Sequence, residues 1–379
     1  MPLRALARVN LAAIERNVAR VRAALDGRTA LCAVVKADGY GHGAARVAEA
    51  ALAGGASQLA VATAAEAAEL RSAGIGSAVL VMGAISDQEL PDALSAEAEV
   101  VAWTERFVDA LVHGASVRAA PTPPVRVHVK LDTGMGRLGT RDAALARAVA
   151  ERVAANEPTL ALAGAMTHFA TADGDPGFLA EQLERFEQFV GELRPRWPEL
   201  VAHAANSAAT LSEPRSHFDL VRCGIAIYGC DPMNSDPREH GLEPALELSS
   251  YVAAVKRAER GESVGYGRTF VAQSDTWIAT LPIGYGDGIR RAFSNNCEVL
   301  IGGRRYPLVG TVSMDNITVE LGPETAVSVG DAATIIGSDG GERQTAEQLA
   351  RRIDTINYEV VCGISARVPR SYHRDGTAA

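Results

Sequence analysis

Residues 30–43 read Ala30-Leu31-Cys32-Ala33-Val34-Val35-Lys36-Ala37-Asp38-Gly39-Tyr40-Gly41-His42-Gly43. The first half is a continuous apolar run rich in β-branched residues, the pattern of a parallel strand buried on both faces. Lys36 closes that run, and a glycine-rich turn follows over 39–43. An ammonium at the end of a buried strand is costly to desolvate, so its pKa is expected to fall. A neutral amine near pH 7 is a nucleophile toward carbonyl groups. On this stretch alone, a lysine that snorkels to solvent fits equally well.

Working outward, the same kind of short apolar run recurs. Strands are expected at 31–35, 59–62, 78–82, 99–103, 125–131, 160–166, 200–204 and from 219–221. A proline-rich turn over 121–124 precedes the fifth. Between them lie segments with helical spacing or composition, including 42–53, 64–72, 87–94, 104–113, 141–156 and 176–193, with a short helix over 207–211. An earlier helix, over 11–25, is capped by Asn10. Eight strands alternating with helices over a barrel-sized span predict a parallel (β/α)8 TIM barrel, an α/β fold.

Composition changes near 231–244, where prolines, Asn234, Ser235 and Gly241 cluster. Two domains are therefore expected, a barrel over 1–238 and a smaller, mainly antiparallel β domain over 239–379. Strand candidates there are 246–255, 277–282, 297–301, 305–310, 316–320 and 332–336, and only 345–352 reads as helix.

The chain has 379 residues, 47% of them hydrophobic, and a formal net charge of −9. That composition is globular, and the acidic balance argues against nucleic acid as a partner. The five cysteines form no C-x-x-C pair, as expected of reduced thiols in the cytoplasm. No metal site is expected. Residues 1–10 lack the apolar core of a signal peptide, and no run of ~18 apolar residues predicts a membrane span.

Barrel enzymes place their chemistry at the C-terminal ends of the strands. Lys36 falls there on the first strand, with Tyr40 on the loop after it. Arg137 follows the fifth, His168 closes the sixth and Arg222 lies at the eighth. Each alone is more often an ion-pair partner than a catalyst; together they argue against coincidence. Phosphate sites in barrels commonly use the loops after strands seven and eight. Here those loops hold Asn206-Ser207 and Gly224-Ile225, whose hydroxyl and backbone N–H groups suit a phosphate dianion, though ordinary turns use the same residues. An amine on strand one and an anion site beside strand eight are neighbours in a closed barrel. A cofactor with an aldehyde at one end and a phosphate at the other spans them: pyridoxal 5'-phosphate, which lysine anchors as a Schiff base. Arg222 then faces the pyridine nitrogen, keeps it unprotonated and weakens the electron sink, which restrains transamination and decarboxylation.

The run from Val34 to Gly43 resembles the cofactor-lysine signature of the alanine racemases, a family of fold-type III pyridoxal-phosphate enzymes. The resemblance continues through Lys130-Leu131-Asp132-Thr133-Gly134-Met135-Gly136-Arg137, Ala205-Asn206-Ser207, and Val221-Arg222-Cys223-Gly224-Ile225. It extends to Val264-Gly265-Tyr266-Gly267, Gly284-Tyr285-Gly286-Asp287, Ser313-Met314-Asp315 and Asn357-Tyr358-Glu359. It implies racemisation of L- and D-alanine, supplying D-alanine for peptidoglycan, by a homodimer with shared active sites. Lys36 and Tyr266 are then the two bases on opposite faces of the substrate Cα, Tyr266 acting in the partner's site. Inverting a stereocentre through a planar carbanion requires proton transfer on both faces. The resemblance further implies that Tyr40, Ser207, Gly224, Ile225 and Tyr358 hold the phosphate, with Asn206 nearby, and that His168 tunes Arg222 and Tyr266. Arg137 and the Met314 backbone receive the substrate carboxylate, Tyr285 narrows the entrance, and Lys130 carries a carbamate that orients Arg137.

Other readings compete. A broader racemase would also accept serine. A non-catalytic cofactor-carrying barrel would leave the second domain and Tyr266 unexplained. A metal-dependent D-amino-acid lyase would use a His-x-Cys pair near the C-terminus, which is absent here, and a Schiff-base aldolase would leave the phosphate and tyrosine motifs without a role.

Overall fold

A computed structural model describes residues 3–117 and 123–379. Part of the expected turn over 121–124 therefore lies outside the described residues. The chain divides into two compact units. One comprises Glu15–Gly39 and Ala44–Ile227; the other comprises Met1–Ile14, Tyr40–Gly43 and Tyr228–Ala379.

The first unit is the expected barrel. Its strands are β1 (Ala30–Val34), β2 (Gln58–Val61), β3 (Val79–Val81), β4 (Glu99–Ala102), β5 (Val125–Lys130), β6 (Leu160–Met166), β7 (Val201–His203) and β8 (Leu220–Cys223). From β1 to β7 each pairs in parallel with its neighbour in sequence, and β1 also pairs in parallel with β8, Cys32 opposite Arg222. Between β7 and β8 the ring is bridged by Asp219 N–H donating to Ala202 O at 3.1 Å and Arg222 N–H donating to Ala205 O at 2.9 Å. The strands are short and apolar, and β3 is buried along its whole length, as expected where helices cover the outside and side chains fill the inside. Helix starts are fixed locally. Thr63, Thr104, Asp142 and Asp175 each accept backbone N–H bonds in the first turns of the helices they cap.

The second unit is built on an eleven-stranded, mainly antiparallel sheet. The expected strand over 246–255 is two strands, Leu246–Tyr251 and Ala254–Ala258. A helix over Asn357–Cys362 joins the expected one, which spans Ala346–Arg352. The N-terminal segment Leu6–Asn10, to which the sequence reading assigns no element, is a strand of this sheet. It lies between Leu246–Tyr251 and Arg370–Arg374. Its alternating burial shows one face turned to the core. Asn10 then caps Leu11–Ala23 through bonds from the Ala12 and Ala13 N–H groups. No helix among the described residues is long and apolar enough to cross a membrane, and no group of acidic, histidine or cysteine side chains forms a metal cluster there.

Candidate active site

The backbone changes hand after Lys36. Ala37, Asp38 and Tyr40 take φ of 52°, 51° and 52°, and Gly39 takes 60°, so the Lys36–Tyr40 turn is left-handed. Each non-glycine residue there costs roughly 1–2 kcal/mol. The strain is offset by fixed acceptors: Glu66 Oε1 receives the Ala37 N–H at 2.7 Å, and Asp38 Oδ1 receives the Ala44 N–H at 2.8 Å. Glu66 Oε2 also receives the Ala62 and Thr63 N–H groups, tying the ends of β1 and β2 together. Gly39, at φ 60°, is tight against its neighbour, since a Cβ there would sit 3.2 Å from Ala44 N and Cα. The expected turn at 39–43 thus begins earlier, and Lys36 sits on a strained, clamped support of the kind found at functional sites.

The loop after β5 is organised by Asp132, whose carboxylate receives the Gly134 and Gly136 N–H groups and the Arg141 Nε–H. That loop carries Arg137. Lys130, the last residue of β5, is buried, and its pKa is pushed down to about 8 by burial, then by Arg222 and Arg137. His168, just past β6, is held well below the usual imidazole range by burial, then by Arg222, Arg137, Lys130 and Lys36. Four cationic side chains from three strands, β1, β5 and β8, therefore act on one histidine.

Arg222 is buried inside β8. Burial lowers its pKa to about 10, so the guanidinium stays protonated at neutral pH. Its Nη2 donates to Thr167 O at 2.8 Å and Ala204 O at 3.1 Å and lies 3.3 Å from His168 Nδ1. At the neighbouring strand end, Asn206 caps Ser207–Ser212, and Ser207 Oγ receives the Gly224 N–H at 3.0 Å. The structure thus joins the two loops that the sequence marks for phosphate.

In the other unit, Tyr40 and Tyr358 come together, with ring centroids 6.1 Å apart, and Tyr228 stacks on Tyr40 at 4.9 Å. Tyr266 lies on the loop joining the paired strands Ser263–Val264 and Phe270–Val271. Val264 and Phe270 of that hairpin pack on a core of Ala258, Ala272, Ile278 and Val309. Gly265 and Gly267 take φ of 80° and 70°, and Thr311 Oγ1 donates to Tyr266 O at 2.8 Å. Tyr285 and Met314 are also neighbours: the Tyr285 N–H binds Ser313 O and the Gly286 N–H binds Met314 O.

Family models for the N-terminal and C-terminal domains of alanine racemase match residues 9–232 and 245–372. The chain belongs to the alanine racemase family. It is 42% identical to an alanine racemase of Symbiobacterium thermophilum over 373 residues, covering 97% of this chain and 96% of the relative. It is also 42% identical to that of Geobacillus kaustophilus over 371 residues, covering 97% and 94%. The crystal structure of alanine racemase from the D-cycloserine-producing Streptomyces lavendulae superposes with a TM-score of 0.92 at 38% identity, covering 98% of both chains. A barrel-only carrier is set aside by the match to the C-terminal domain.

Within this family member, four polar residues escaped the sequence reading. Glu66 clamps the turn after Lys36, and Glu99, His128 and His203 lie buried in β4, β5 and β7. For the three strand residues the available signal was a charged or imidazole side chain interrupting a run otherwise fit for a barrel interior; for Glu66 it was the Thr63-x-x-Glu66 spacing of a capping box.

Proposed function

We propose that this chain interconverts L- and D-alanine with pyridoxal 5'-phosphate, by proton transfer at Lys36 on one face of Cα and Tyr266 on the other. The observation that carries the reading is the convergence of Lys36, Lys130, Arg137 and Arg222 on His168, beside two loops joined by Ser207 and Gly224. So much positive charge with hydroxyl and amide donors suits a dianionic phosphate and a substrate carboxylate. The barrel residues fit the cofactor: Lys36 for its aldehyde, Arg222 for its ring nitrogen, and Ser207, Gly224 and Ile225 for its phosphate, with Asn206 capping the helix that presents Ser207; the family resemblance assigns Tyr40 and Tyr358 to the phosphate as well. When bound, the cofactor delocalises the charge left on Cα after proton removal.

The remaining work falls to the protein. Arg137 and the Met314 N–H orient the substrate carboxylate. Lys36 Nζ and Tyr266 Oη each hold or deliver a proton at Cα. Tyr285 narrows the approach. Tyr266, Tyr285 and Met314 are 74%, 45% and 51% exposed. We take them to be covered in a homodimer, where Tyr266 serves the partner's site.

The test is a racemisation assay over a panel of L-amino acids with added pyridoxal phosphate. Alanine is expected to be turned over fastest; preference for serine would move the reading to a broader racemase, and no racemisation of any would overturn it.

Lys130 provides a separate test. An amine attacks carbon dioxide only when neutral, and a pKa of about 8 leaves a usable neutral fraction near pH 7 that grows as pH rises through 8. A carbamate carbon signal is expected in 13C spectra of protein exposed to labelled bicarbonate. At a fixed concentration of dissolved carbon dioxide, the rate of its appearance should rise between pH 7 and 9, and the signal should be absent in Lys130→Met. An identical signal in that variant would place the adduct elsewhere.

A further inference from the structure

The interior of this barrel is not wholly apolar. Glu99, at the N-terminal end of β4, is 6% exposed; His128 in β5 is 2%, His203 in β7 is 0% and Arg222 in β8 is 3%. They are joined end to end. Glu99 Oε2 lies 2.7 Å from His128 Nε2, His128 Nδ1 lies 2.9 Å from His203 Nε2, and His203 Nδ1 lies 3.1 Å from Arg222 Nη1. At the outer end, Arg126 Nε donates to Glu99 Oε1 at 2.6 Å.

The direction of every bond in this row follows from its two ends. A guanidinium only donates, so His203 Nδ1 is the acceptor and its proton sits on Nε2. His203 Nε2–H then donates to His128 Nδ1, which leaves the His128 proton on Nε2, facing the carboxylate. Both imidazoles are neutral and both carry the proton on Nε2. A proton added to His128 Nδ1 would turn His203 round and set an N–H against the guanidinium. Burial holds His203 well below the usual imidazole range, and Glu99 is lowered because the hydrogen bonds from His128 and Arg126 outweigh its burial.

The backbone makes room for this contact. Gly164 in β6 is paired with His128, and a Cβ there would sit 2.3 Å from His128 Nδ1 and 2.6 Å from Val201 O. A register shift between Val127 and His128 brings the imidazole to that gap.

We propose that Glu99, His128 and His203 form a one-way hydrogen-bond relay through the barrel that orients Arg222 and balances its charge from the far end of the strands. Among the described residues, the hydrogen-bond partners of Arg222 are two histidines and two carbonyls, with no carboxylate next to it. A neighbouring acid would compete for its donors. A remote one, coupled through neutral imidazoles, leaves a protonated donor fixed in place. Glu99, His128 and His203 are positioning residues. Their effect on the ring nitrogen rests on the reading of Arg222 proposed above; the relay itself does not.

The experiment is 15N–1H spectroscopy of the full, histidine-labelled chain with added pyridoxal phosphate, alongside racemisation kinetics of Glu99→Gln and Glu99→Leu. In the parent protein, His128 and His203 are expected as neutral Nε2–H forms. Glu99→Gln keeps an acceptor oxygen, so it should preserve both forms and lower kcat about tenfold with KM little changed. Glu99→Leu leaves an N–H without an acceptor; it should shift the His128 resonances and lower kcat by about tenfold more, the scale of a lost charge-assisted bond. A cationic His128, an Nδ1–H form of either histidine, or identical spectra and kinetics for the two variants would overturn the relay. If Glu99→Leu does not fold, the parent spectrum and Glu99→Gln decide. A parent protein that shows the expected spectrum but no racemisation would refute the functional reading and leave the relay standing.

Discussion

Lys36→Ala is expected to abolish the visible absorbance of bound pyridoxal phosphate and to lower alanine racemisation by more than ~10⁴-fold. A single general base contributes ~10²–10⁴, and this side chain is assigned covalent anchorage as well. The loss should be local. The backbone around Lys36 is held by groups other than its own side chain: Gly39 N–H donates to Val35 O, and the Ala37 and Ala44 N–H groups bind the Glu66 and Asp38 carboxylates. Alanine at 36 removes none of these, so the melting temperature of the cofactor-free protein should move little. Absorbance, melting and activity measured on one preparation separate the outcomes. An unchanged visible band in the variant would remove Lys36 from its role, and a collapse of melting temperature would show that the lysine supports the fold instead.

The barrel was readable because parallel strands buried on both faces leave an unmistakable trace: short apolar runs, each ending in polar or glycine residues. All eight were found that way, to within a residue or two at most ends. The left-handed turn was not, because Ala37, Asp38 and Tyr40 have no local reason to take positive φ. Only Glu66, nearly thirty positions away, and the packing of Gly39 against Ala44 make that conformation worth its strain. The strand Leu6–Asn10 was missed for a similar reason. Five residues of weak alternation gain meaning only beside Leu246–Tyr251 and Arg370–Arg374, far along the chain. The buried Glu99–His128–His203 row is the clearest case. Each residue taken singly is a satisfied polar group in a strand, and the connection between them exists only once β4, β5 and β7 are curled into a ring.

The second base yields an asymmetry that no general weakening of the enzyme would imitate. Tyr266→Phe deletes one hydroxyl from a loop whose shape is set by Gly265, Gly267 and the Thr311 bond to the Tyr266 carbonyl, so the loop should keep its form. Racemisation should fall ~10²–10⁴-fold in both directions, since each direction needs both bases. Exchange of the α-proton with solvent deuterium is different, because it requires only the base on the face where that proton lies. With Tyr266 assigned to L-alanine and Lys36 to D-alanine, the variant should lose exchange from L-alanine and keep it from D-alanine. Proton spectra recorded in deuterated buffer, starting from each enantiomer, read this directly. Equal loss from both enantiomers would refute the assignment of faces, and retention from L-alanine alone would reverse it. The same variant also bears on assembly. Tyr266 is 74% exposed on its own subunit, so if it serves the partner's site, mixing Tyr266→Phe with Lys36→Ala should restore activity. Each mixed dimer holds one site that draws a native lysine from one chain and a native tyrosine from the other. Failure of such mixtures to recover any racemisation, with subunit exchange confirmed, would place both bases in the same chain.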